Sequence, residues 1–155
     1  MGVKSMRKGM FVVAAAAAAL FAGAAMANPG VEARQELMKS IGGNTKAIGG
    51  IVKGGPGEAS EVATRAAAIA ASAAMIGGKF GDQVHVENAG DVKTTASPAI
   101  WMKWDEFVKA GTDLETAAKA LETTAAGGDM AAIGAAFGAM TKTCGACHTP
   151  FRVKK

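Results

Sequence analysis

The residues with the most chemistry stand together near the C-terminus, as Cys144-Gly145-Ala146-Cys147-His148. They include both cysteines and one of the two histidines of the 155-residue chain. Three chemistries compete for such a cluster. A redox-active Cys-x-x-Cys disulfide sits at a helix start inside a βαβ pattern, and the sequence has no such pattern. A structural zinc needs four ligands, and no second ligand cluster completes the set. Covalent attachment of a porphyrin fits. Two thiols one helical turn apart reach the two vinyl groups, and an imidazole four residues after the first thiol lies on nearly the same face, under the metal. The spacing predicts one haem c, bonded through Cys144 and Cys147, with His148 as an axial iron ligand.

Such chemistry suits an exported protein, and the N-terminus reads as an export signal. Lys4, Arg7 and Lys8 are followed by an alanine-rich apolar run from Phe11 to Gly23, then by the small-x-small sequence Ala25-Met26-Ala27. The run is shorter than the ~20 residues that span a bilayer. The sequence thus divides into a signal peptide, residues 1–27, and a mature domain, residues 28–155. A periplasmic location in a Gram-negative bacterium is expected. The formal charge of +4 comes largely from the signal, which holds three of the 17 basic residues and none of the 13 acids. The mature part keeps 14 basic and 13 acidic residues, a net +1. That balance excludes the clustered basic excess of a nucleic-acid binder.

The elements that must position the cluster are helices. Leu37, Ile41, Ile48 and Ile51 share one face of a helix predicted over 31–53. Val62, Ala66, Ile69, Ala73 and Ile76 stripe a second, over 57–76. Ile100, Trp104, Phe107, Gly111, Leu114, Ala118 and Leu121 follow a 4-3 alternation along a third, over 98–126. Ile133, Phe137, Met140, Cys144, Cys147 and Phe151 stripe the fourth, from Asp129 onward. Gly54-Gly55-Pro56-Gly57 ends the first helix, and Asp129 is placed to cap the fourth. Residues 77–97, rich in glycine and polar side chains, form a long crossover. With no tyrosine and no useful β-alternation, the expected fold is all-α, an antiparallel four-helix bundle with covalently bound haem. The pairs Gly42-Gly43 and Gly49-Gly50 inside the first helix call for either close helix approach or a kink.

Taken together, these features resemble class II cytochrome c, the cytochrome c′ family. The haem motif is C-terminal, in Cys-Gly-Ala-Cys-His-Thr-Pro-Phe-Arg. Ser97-Pro98-Ala99-Ile100-Trp101 resembles the Pro-x-Ile-Trp start of that family's third helix. Arg34-Gln35-Glu36-Leu37-Met38, ending at Val52-Lys53-Gly54, resembles its first. The resemblance implies the bundle, often as a homodimer, with the haem inside and Met38 at the position that faces the distal side of the haem. A coordinating Met there gives a six-coordinate, low-spin electron carrier. A non-coordinating residue gives a five-coordinate haem that binds small gases. The expectation adopted is the first: Met38 as distal axial ligand and one-electron exchange with redox partner proteins. Nitric oxide or carbon monoxide binding at a vacant distal site is the alternative. An enzyme such as a peroxidase is not expected, because no distal histidine is available as acid–base group.

The remaining candidates are subordinate. Arg34, four residues before Met38, is expected to reach a haem propionate, and Arg152, four after His148, to border the proximal side. Met102, Met130 and Met140 are poorer ligands than Met38. His85 is expected on the surface of the crossover, and Trp101 and Trp104 in core or lid packing. The alanine- and glycine-rich first two helices suit the bundle interior or a twofold contact equally.

Overall fold

The computed structural model describes residues 1–2 and 28–154. The signal peptide assigned to residues 1–27 lies almost wholly outside them. Six helices follow in order: α1 (Pro29–Val52), α2 (Ala59–Ala74), α3 (Ile76–Lys79), α4 (Ala99–Met102), α5 (Trp104–Ala126) and α6 (Met130–Phe151). The four long ones, α1, α2, α5 and α6, make the antiparallel bundle expected from the sequence, and no strand is present among the described residues.

Local chemistry sets the ends. The Asn28 side chain accepts from the Gly30 and Val31 amides at 2.9 and 3.1 Å, which opens α1. Asp129 does the same for Ala131 and Ala132 at α6, as its position before the fourth stripe predicted. Gly54 and Gly128, with φ of 88° and 77°, turn the chain after α1 and α5 in a conformation that side chains disfavour.

The predicted stripes are the core. Ile48, Ile69, Ile100, Leu121, Ile133 and Met140 are fully or almost fully buried, each contributing about 1.5–3 kcal/mol by leaving water. Alanines 66, 70 and 73 of α2 are buried, and their small side chains let α2 lie closely along α5, the most extensive helix contact in the bundle. By contrast α1 and α6 meet over a short stretch only.

Two features differ from the sequence reading. The third helix is broken at Lys103 (φ −129°, ψ 49°), which separates α4 from α5. The 4-3 apolar pattern runs through the break because one non-helical residue hardly shifts the stripe. The crossover also holds the short α3. Its far end is tied to the end of α6: Ser97 N donates to Phe151 O (3.1 Å) and Val153 N to Thr95 O (2.9 Å). The first helix runs through both glycine pairs, and only Gly49 faces a close neighbour, the Phe137 ring, 3.3 Å from where a Cβ would stand.

Candidate functional site

Where α1 and α6 stay apart, a cavity of about 800 Å³ opens. Met38 and Ile41 of α1, with Cys144, Cys147 and His148 of α6, are among its walls, so the structure brings the expected haem ligands to one space. Phe80, Phe107 and Leu114 add apolar surface, and Lys46, Lys93 and Arg152 bring positive charge. The cavity opens to solvent on one side, and its mainly apolar walls face water until something covers them. It suits a large occupant that is mostly apolar, with anionic groups to meet the cations. A haem with two propionates has that chemistry.

The donor set fits the same group. The two thiols are free and half-buried on the cavity side of α6. Burial pushes the Cys147 thiol up to about 11, with the neighbouring Cys144 adding to the shift. Cys144 is raised by burial too, partly offset by hydrogen bonds from its own backbone and Thr143. Both are thus kept as thiols rather than thiolates. At His148, whose side chain stays exposed at its edge, desolvation by the neighbouring chain, and after it the Arg152 charge, lower the imidazole's affinity for a proton. A neutral imidazole is the form that can donate a lone pair to a metal.

Arg34 has protein partners that the sequence did not reveal. It is 3% exposed. Its Nε donates to Gly30 O (3.3 Å), Nη1 to Val84 O (2.9 Å), and Nη2 pairs with the Asp82 carboxylate. The guanidinium also lies 4.8 Å from the Phe80 ring centre and 5.8 Å from that of Trp101. It lines the cavity, but these contacts make it the anchor of the crossover. Asp82 and Phe80 were missed by the sequence reading. The available signal was Arg34 itself, which continues the buried stripe Val31, Leu37, Ile41 and so had to find partners inside. Arg152 is exposed, caps α6 and lines the cavity near His148. His85 is half-buried rather than on the open surface, with its ring 5.6 Å from that of Trp101.

The cytochrome c′ family model matches residues 30–152, nearly all of the described chain. The chain belongs to the cytochrome c′ family. A cytochrome c′ from Pararhodospirillum photometricum is 38% identical over 122 residues, covering 79% of this chain and 94% of the relative. The cytochrome c′ of Thermochromatium tepidum superposes with a TM-score of 0.72 at 31% identity, over 81% of this chain and 95% of that one. A nitric oxide complex of a cytochrome c′ variant from Alcaligenes xylosoxidans superposes with a TM-score of 0.68 at 25% identity, over 81% and 94%. Membership in this cytochrome c′ family brings a covalently bound c-type haem, and its members carry electrons or gases rather than acting as enzymes.

These findings correct the expectation of a low-spin electron carrier with His148 and Met38 as its two iron ligands. The family is that of cytochrome c′, and a solved member holds nitric oxide, so a filled distal position is not the reading they support. The packing of α1 is compatible with that correction. Met38 is half-buried and packed against the hydrophobic core. An unbranched thioether on an apolar helix face is a filler of irregular space.

Proposed function

We propose that this cytochrome c′ binds nitric oxide or carbon monoxide at the open distal face of a haem c held by Cys144, Cys147 and His148. The observation that carries this reading is the cavity wall opposite α6. There α1 presents Met38 and Ile41, packed on the core and offering no acid–base group. When bound, the haem supplies an iron with one coordination position left for a diatomic ligand.

The chain's residues do the rest. Cys144 and Cys147, one turn apart, tether the macrocycle to the last turns of α6. His148 holds the proximal side, and its neutral form keeps the lone pair available. Apolar side chains keep water and anions off the distal face, since burying an unpaired charge there costs far more than burying a neutral gas. The Thr45 hydroxyl, which lines the same wall, is spent on Ile41 O at 2.8 Å. Selection on that face therefore rests on size and polarity rather than on a hydrogen-bond donor. Export to the periplasm agrees with residues 1–27, where assembly of the thioethers and encounter with diffusing gases take place.

The test is the visible spectrum of the purified ferrous holoprotein before and after carbon monoxide. A broad high-spin spectrum that shifts on adding the gas is expected. A sharp low-spin spectrum that carbon monoxide leaves unmoved would refute the proposal. Retention of haem through acid-acetone extraction tests the attachment to Cys144 and Cys147, and loss of it would refute that part.

A further inference from the structure

α1 presents two rows of residues to the cavity. The inner row is Arg34, Met38, Ile41 and Thr45, all buried or half-buried. The outer row is Gln35, Lys39, Gly42 and Lys46, all exposed. Both follow the same spacing of four, three and four residues, so they run side by side along the helix.

In the outer row every position but one carries a long side chain. Gln35 reaches across to donate to Lys93 O on the crossover, and Lys39 pairs with Glu36. Gly42 has no side chain, and a Cβ built there would meet nothing within 4 Å. Among the protein's own atoms neither usual reason for a mid-helix glycine is found. Its φ is not positive, and no neighbour approaches closely enough to forbid a methyl group. Yet glycine there costs about 1 kcal/mol against alanine in helix propensity. The adjacent Gly43, equally open, is not among the cavity residues, and Gly49 is held small by Phe137. Gly42 is left as a break in the outer row, one turn beyond Met38 and flanked by two lysines.

We infer that Gly42 is the passage through which a small uncharged ligand travels between solvent and the distal face. This rests on the gas-binding reading above. Met38 and Ile41 form the wall that the ligand meets inside, and the missing side chain at residue 42 is the door in the row outside. The flanking Lys39, paired with Glu36, and Lys46 place no side-chain atom within 4 Å of the missing Cβ.

The experiment is flash photolysis of the carbon monoxide complex of the ferrous holoprotein, in wild type, Gly42→Ala and Gly42→Phe. Obstruction of a route raises one barrier that entry and exit share. Gly42→Phe should therefore slow bimolecular association and dissociation together, by about tenfold, with the equilibrium constant within about twofold. The fraction that rebinds before escape should rise, and Gly42→Ala should lie between the two. Both variants should melt at or above the wild-type temperature, because either residue suits a helix interior better than glycine. Their ferric spectra and reduction potentials should match wild type. Unchanged association in a folded Gly42→Phe protein would overturn the inference. A shifted ferric spectrum or potential would also overturn it, by assigning the gap to the edge of the haem. A wild-type protein that takes up no carbon monoxide would instead bring down the gas-binding reading and this inference with it.

Discussion

Removing the ion pair between Arg34 and Asp82 should loosen the crossover, and its size can be bounded from both sides. The Arg34 side chain is 4% exposed and that of Asp82 29%. Exposed pairs contribute at most about 1 kcal/mol. Breaking a fully buried pair costs about 3–5 kcal/mol, because a charge is left without a partner. Here the two ends differ. In Asp82→Asn the arginine stays buried, though it keeps the Gly30 and Val84 carbonyls and two aromatic faces. In Arg34→Met the aspartate can hydrate, but two carbonyl contacts and the ring contacts are lost. We expect about 2 kcal/mol for the first change, about 3 for the second, and a coupling of about 1.5–2 in the double variant.

The assay is urea unfolding of the holoproteins followed by far-ultraviolet dichroism. Urea is preferred to guanidinium because salt screens the partly exposed end of the pair. Hydrogen exchange should show the protection loss concentrated between Phe80 and Ser97, since Arg34 ties that segment to α1. A coupling below about 0.5 kcal/mol would refute the reasoning, because it would mean the pair behaves as a solvated surface contact.

Two further outcomes follow from packing. Gly50→Ala should stabilise the protein by about 1 kcal/mol, as nothing lies within 4 Å of the added methyl. Gly49→Ala should gain less or lose, as its methyl would press the Phe137 ring at 3.3 Å; thermal melts of the two variants check the order, and equal gains would contradict the contact. A chain expressed without haem should lose packing around the cavity, because its apolar walls are left facing water. Dye binding and loss of a cooperative melt report that, and a haem-free protein with a sharp melt would contradict it.

Much of the fold was legible because the signal is repeated. Each long helix carries four or more apolar residues on one face, and all of them are buried except Trp104, Phe137, Cys144 and Cys147, which are partly so. Asp129 was legible for a local reason, since a cap acts within three residues of itself. Features that depend on one residue or on distant partners were not. The break at Lys103 leaves the stripe from Ile100 to Leu121 in phase, so periodicity cannot register it. Asp82 meets Arg34 across 48 positions of chain, and nothing in the glycine-rich crossover marks one acid above its neighbours. A buried arginine does announce that a partner exists, and the stripe through Val31, Arg34 and Leu37 carried that message without the address.

Met38 shows the same division more sharply. The family resemblance placed it on the cavity side of α1, and there it lies. Its role was not a matter of spacing. A sulfur becomes a ligand only where the side chain gains more from the metal than from its packing. Met38 is one of a row whose other members, Arg34, Ile41 and Thr45, have no soft donor, and like Ile41 it packs on the core. What distinguishes this face chemically is an inner row whose donors, on Arg34 and Thr45, are already engaged, and one missing side chain outside. On the gas-binding proposal, such a face would select a ligand by how small and how uncharged it is. The residues that tune it are then those that change its dimensions, Met38 at the wall and Gly42 at the opening.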